Sequence, residues 1–282
     1  MKRLSFIVAL LVIATGAFAQ SGAMQTNTSE SRNYGNIFGK MTKDNYGRLY
    51  IGYNPINADW EEEGESDWED IHPMNHGLTL GYMHASNIVK SLPLYVEYGA
   101  NFAWAFGKYD DKETYNELSW KMENKLNIFS INVPVNLAFR FSFAYNSFSV
   151  TPYLGLNFRV NVAGTTKQSL ISKYKDGDAT YTSTQIVKYK LFSSDETDLE
   201  DEDAWDIDKS GNETTREATT GMGDYAFKRF QVGFNVGVAA SYKRLHFGIG
   251  YVADFNNLVN YDDDDDFECK LGVPTISLGI TF

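Results

Sequence analysis

The chain has 282 residues, with 25 Lys and Arg against 37 Asp and Glu, four histidines and one cysteine. Its formal charge of -12 excludes a binder of nucleic-acid backbones, and Cys269 alone cannot close an internal disulfide. Aromatic residues make up 15% of a chain whose mean hydropathy is negative, a combination that suits strands with one apolar face joined by polar loops.

At the start, Lys2 and Arg3 precede an apolar run from Phe6 to Ala14, and Ala17-Phe18-Ala19 offers the small-x-small pattern cut by signal peptidase. Residues 1–19 therefore read as a signal peptide removed before Gln20, the run being too short for a membrane-spanning helix of about 20 residues. No cysteine follows the cleavage site, which disfavours a lipid anchor. Past Gln20 no stretch is long and uncharged enough to span a bilayer as a helix, so a membrane crossing must be made by strands. Residues 20–46 read as a periplasmic leader or a plug.

From Tyr46 onward, segments of period-two alternation recur eight times, over approximately 47–56, 76–86, 93–107, 125–143, 147–163, 227–242, 245–256 and 271–282. The fourth sets Ile131, Val133, Val135, Leu137, Phe139 and Phe141 against Ser130, Asn132, Pro134, Asn136, Ala138 and Arg140. The last sets Ile276, Leu278, Ile280 and Phe282 against Thr275, Ser277, Gly279 and Thr281. Pro134 and Pro152 predict bulges or ladder edges, since proline cannot donate.

The second face separates a membrane barrel from a soluble sandwich or a lipocalin. A water-facing surface would carry many Lys and Glu, whereas these faces hold mainly Gly, Ser, Thr, Asn and Ala. Small polar groups fit a narrow closed lumen. The bulky apolar face then meets lipid, and closure is required because an open sheet edge in hydrocarbon leaves backbone groups unpaired. Short links at 86–92, 144–147 and 243–244 alternate with long ones at 57–75, 108–124, 164–226 and 257–270, and the long ones hold 33 of the 37 acids. The fold class is thus all-β: an up-and-down antiparallel transmembrane barrel of eight strands over residues 47–282, with acidic extracellular loops and both termini periplasmic.

These features resemble the small outer-membrane β-barrel proteins of the OmpA, OmpX and PorT-like type. The resemblance is carried by the signal peptide, by Ile131-Asn132-Val133-Pro134-Val135 in the strand Asn127 to Phe143, by Pro152-Tyr153-Leu154-Gly155, and by the terminal Phe282. It implies a Gram-negative outer membrane and a role for Phe282 as the signal read by the barrel-insertion machinery. It implies no catalytic residues.

Glu97, Arg140, Arg159, Asp254 and His246 fall on lumen positions and read as a structural charge network, with a proton path or gated pore as the competing reading. The 63-residue span 164–226 is too long for a plain turn. Lys175-Asp176-Gly177-Asp178 between Leu170–Tyr174 and Thr180–Phe192 predicts a hairpin above the bilayer, or else two more wall strands and a barrel of ten. In the same span Asp206, Asp208, Ser210, Asn212 and Glu217, with Gly211 at the turn, match the spacing of a calcium-binding loop. Glu213 at the usually apolar eighth position, and Gly221 and Gly223, count against it.

The acidic runs Glu61 to Glu63 and Asp262 to Asp266 read as solvated surface that divalent cations could bridge to lipopolysaccharide or that a basic partner could meet. Trp104 suits an interfacial girdle, while Trp60 and Trp68 suit partner contacts. His72, His76 and His84 lack a Ser or Asp partner at motif spacing and read as surface histidines. The expected role is non-enzymatic: a barrel that presents acidic loops for structural, adhesion or partner-binding purposes. The alternatives are a lipid- or peptide-modifying enzyme, or a narrow transporter if ten strands leave an open lumen.

Overall fold

The computed structural model describes residues 45–55, 57–62, 76–89, 92–115, 117–143, 147–223, 226–258 and 267–282. The signal peptide, nearly all of the 20–46 leader, Glu63, Trp68, His72 and the Asp262 to Asp266 run lie outside the described residues.

The strands are β1 (Tyr46–Tyr53), β2 (Asn57–Glu62), β3 (His76–Asn87), β4 (Leu94–Tyr115), β5 (Leu118–Phe139), β6 (Phe141–Phe143) and β7 (Phe148–Asp176). They continue with β8 (Ala179–Lys190), β9 (Asp206–Ser210), β10 (Glu213–Gly221), β11 (Phe230–Tyr242), β12 (Leu245–Asp254) and β13 (Phe267–Thr281). Antiparallel pairing runs β1-β3-β4-β5-β7-β11-β12-β13 and returns from β13 to β1, so the sheet closes on itself. A ring of this kind leaves no unpaired edge along its wall. One end carries tight connections such as the two-residue turn Lys243-Arg244 between the paired Tyr242 and Leu245; Lys243 there has φ 53°.

Several segments stand off the ring, among them β2, which pairs with the start of β13 from Asn57–Gly272 to Glu62–Phe267. The span 108–124, expected as a loop, instead extends β4 and β5 upward as one hairpin, with Lys108 opposite Lys125 and Tyr115 opposite Leu118. The expected hairpin in 164–226 is the upper part of β7 paired with β8, turning at Gly177 with φ 58°. β8 then pairs in parallel with β10, and β10 with β9. Since β8 meets β10 and not β11, these segments form a sheet above the ring, outside its wall. β7 serves both: residues 148–160 face β11 and residues 165–176 face β8. The register slip at Phe129/Ser130 against β7 lets the wall bend where the two regions meet.

Burial is inverted relative to a water-soluble domain. The large apolar side chains lie outside: Ile51 at 63% exposure, Phe102 at 65% and Phe282 at 65%, with Leu80, Val135, Leu156, Ile249 and Leu278 in the same belt. Buried positions on the same strands are Asn132, Asn136, Ser149, Thr151, Asn157, Gln231, Asn235 and Ser277. Among the described residues, the outward positions of the ring between Trp104 and Tyr98 on β4, and at matching heights on its neighbours, carry no Asp, Glu, Lys or Arg. A continuous apolar surface of this extent is far larger than a monomer in water tolerates.

Aromatic pairs bracket the belt. On the long-loop side Trp104 stacks on Phe129 with 3° between the rings, and Tyr53 lies against His76. On the short-turn side Tyr82 stacks on Phe282, His84 meets Tyr98 edge-on, and Phe139 stacks on Phe141. From Phe129 to Phe139 the strand climbs roughly 33 Å along its axis, or about 25 Å of height at a 40° tilt, the depth of an outer-membrane apolar band.

Candidate functional site

Inside the ring, the short-turn end is filled. Tyr46, Ala85, Tyr95 and Ala138 pack together with Tyr153 against them, and Tyr95 has no exposed surface. Glu97, fully buried beside them, accepts hydrogen bonds from the Tyr46 hydroxyl and the Arg48 guanidinium. The Arg140 guanidinium lies 4.3 Å from the centre of the Tyr46 ring. Gly237 and Gly250 leave room for the Tyr153 ring; a Cβ at Gly250 would stand 2.5 Å from its hydroxyl.

The lumen charges are arranged as two pairs. Arg48–Glu97 seals the floor, while Arg159 and Asp254 meet higher up at 2.9 Å, Nη1 to Oδ2. Arg159 also donates to Asn132 Oδ1 at 3.1 Å and to Gln231 Oε1 at 3.1 Å. Arg140 joins by ring stacking. Arg48, the basic partner of Glu97, was not singled out from sequence: it sits at the start of the weakly patterned first strand, and only the closure of β1 against β3 brings it near β4. A cation among small residues at a lumen position of a strand was the available signal.

Above the floor lies a cavity of about 590 Å³. Tyr50, Asn101, Asn132, Asn136, Asn157 and Asn235 line its lower part, joined by bonds such as Asn132 Nδ2 to Asn101 Oδ1 at 2.8 Å and Asn235 Nδ2 to Asn136 Oδ1 at 2.9 Å. His246 lines it as well, 5% exposed, with Nε2 3.5 Å from Ser277 Oγ.

The remaining candidates scatter. His76 and His84 occupy opposite ends of β3, roughly 26 Å apart at the rise of an extended strand. The Tyr53 hydroxyl is 2.5 Å from His76 Nδ1, and the His84 ring lies against that of Tyr98. Asp206, Asp208 and Ser210 lie along β9 and Glu217 along β10, with Gly211-Asn212 as the turn at φ 59° for the glycine. Asp206 faces Glu217 across the hairpin and Ser210 faces Glu213. An extended ladder spreads these oxygens along its length where a calcium loop curls them round one point. Among the described residues no three of His, Cys, Asp and Glu gather as a metal site.

Outside the membrane band, on the β4–β5 hairpin, Glu123 takes a hydrogen bond from Lys121 and lies 3.7 Å from Lys108 and 3.5 Å from Lys125. The bond from Lys121, reinforced by the neighbouring ammonium groups, holds the Glu123 carboxyl below its usual range; the same bond raises Lys121.

A closed antiparallel ring with an apolar outer belt, aromatic girdles and a polar interior defines a β-barrel of the outer-membrane type. No helix among the described residues is long and apolar enough to cross a membrane. No family model and no curated protein matches the chain. Solved structures that overlap it include Ail of Yersinia pestis, in complex with the heparin analogue sucrose octasulfate, at 13% identity over 85% of this chain and 99% of that chain, TM-score 0.32. Neisserial surface protein A overlaps at 10% identity over 83% and 97%, TM-score 0.29. The N-terminal β-barrel domain of Pseudomonas aeruginosa OprF overlaps at 8% identity over 84% and 99%, TM-score 0.18. At these scores the ring and its outer face, seen in the chain itself, define the class.

Proposed function

We propose that this chain is a non-enzymatic outer-membrane protein whose eight-stranded wall anchors an acidic surface that meets a basic extracellular partner. The carrying observation is the sorting of charge: 33 of the 37 acids fall in the four segments 57–75, 108–124, 164–226 and 257–270, and the described parts of these pair beyond the same end of the ring. A membrane with different surroundings on its two faces gives a reason for that asymmetry. The short-turn end and both termini then face the periplasm, and the acidic end faces out. Lipopolysaccharide bridged through divalent cations is a second contact of the same surface, and Phe282, outward and stacked on Tyr82, is the group offered to the barrel-insertion machinery.

The sheet of β8, β9 and β10 supports the reading. It is built beyond the apolar belt and exposes Asp206 and Asp208 on β9. The sheet itself carries four acids and four bases, and the connector 195–203 between β8 and β9 adds seven acids and no base; that excess disfavours polyanions and favours polycations. The test uses intact cells producing the full chain. Added protease should cut within 195–206 while the ring survives, and a fluorescent polylysine should bind in a salt-sensitive way. The reading fails if those cells are untouched by protease and bind no more polylysine than cells lacking the chain.

A further inference from the structure

We propose that the cavity above the floor is a binding site for one small amphiphile, its apolar body near the loop end and an uncharged, hydrogen-bonding head below. The proposal rests on the barrel reading, and is independent of what the acidic loops contact.

The lining changes character with height. Along β5 the lining from the floor is Asn136, Pro134, Asn132 and Ser130, then Ile128 and Leu126, with Asn124 and Met122 at the mouth. Along β13 they are Ser277 and Thr275, and then Val273 and Leu271. Met222, Phe227, Leu191 and Leu258 close over the same upper region, the last two almost fully buried. Such a gradient matches a molecule that is apolar at one end and polar at the other. A lumen filled only to stabilise a barrel has no need of it.

The floor makes the space a pocket. Tyr46, Tyr95 and the Arg48–Glu97 pair block passage below, and continuous strand pairing blocks entry through the wall. At the top the lining reaches Lys108 and Met122, both partly in solvent, so access is from the loop end and the ligand comes from the external medium. About 590 Å³ falls within the range of small-molecule sites.

Charge selects the head. No Asp or Glu is among the described residues lining the cavity, and the two lining arginines are each held by a carboxylate set behind the lining, Glu97 and Asp254. Each pair is neutral, so an ionic head would enter without a free counter-charge. Hydroxyl or amide groups suit the asparagines, which both donate and accept. One buried atom lining the lower part, His246 Nδ1, has no hydrogen-bonding partner among the described residues and is available to such a head.

The test titrates 1-decanoylglycerol into the full mature chain in phosphatidylcholine nanodiscs, with folding verified by gel mobility before and after boiling. Expected is saturable binding of one molecule per barrel, above partition into empty nanodiscs. Ala105→Trp, which fills the lumen, and Leu126→Asp, near its mouth, should each weaken it about tenfold or more, equivalent to about 1.4 kcal/mol per decade. The outward variant Phe102→Trp should leave it unchanged. Decanoate and decyltrimethylammonium should bind more weakly than the neutral probe. Non-saturable uptake equal in all variants overturns the site, and tighter binding of either ion overturns the neutral head. Loss of the gel shift in the wild-type chain instead overturns the barrel reading itself.

Discussion

Glu97 shows how narrow the margin is at a single position in this lumen. Its carboxylate is fully buried, and Arg48 and Tyr46 both spend their polar groups on it. Glu97→Ala strands the Arg48 guanidinium, and the expected loss is about 3 to 5 kcal/mol in urea unfolding followed by tryptophan fluorescence. The double variant Arg48→Met, Glu97→Leu should recover most of that loss, since matched apolar groups remove the orphaned charge. The outer face obeys the opposite rule. Val133→Arg, at mid-belt, is expected to cost about 2 to 4 kcal/mol in the same measurement, and Trp104→Arg, at the girdle, about 1 kcal/mol or less. Equal costs at the two positions would contradict a lipid-facing belt.

The β4–β5 hairpin is the element whose behaviour depends most on charge. Glu123 accepts from Lys121 with Lys108 and Lys125 nearby, so its carboxyl is held below the usual range. A depressed carboxyl contributes stability above the unfolded pKa and loses it as pH falls through the folded one. Amide exchange in 108–125 should therefore accelerate below the ordinary carboxylate range. Glu123→Gln should flatten that pH response and leave the ring strands unaffected. At the tip of β7–β8, Gly177 adopts φ 58° with open space around it. Gly177→Val is thus resisted by backbone conformation alone, at about 1 to 2 kcal/mol, and should raise exchange in β8 without disturbing β11.

For the whole molecule, closure governs the expected behaviour. A ring with every wall strand paired on both sides resists detergent, so the folded chain should migrate differently on a gel before and after boiling. Because the floor is packed with Tyr46, Tyr95 and the Arg48–Glu97 pair, purified protein should pass no steady current in planar bilayers. A constant open conductance would show that the floor yields. A monomer folded in plain buffer, with Phe102 and Ile51 shielded, would contradict the membrane assignment altogether.

The period-two pattern by itself determined the strands and their two faces, because side chains alternate and any slip of one residue would turn Ile131, Val133 and Val135 into the lumen. Loop lengths and the position of the acids separate a short-turn end from an acidic, long-segment end. Pattern could not decide where strands stop once they leave lipid. Above the belt no solvent difference separates the two faces, so 108–124 and 165–190 read as loops or as an uncertain hairpin, and only backbone pairing shows them as strands. Nor could it decide partners inside the lumen: Arg48 meets Glu97 and Arg159 meets Asp254 across 49 and 95 residues of sequence. Contacts between residues that far apart exist only once the ring closes, and the graded cavity, lined from most of the strands, is decided by the same step.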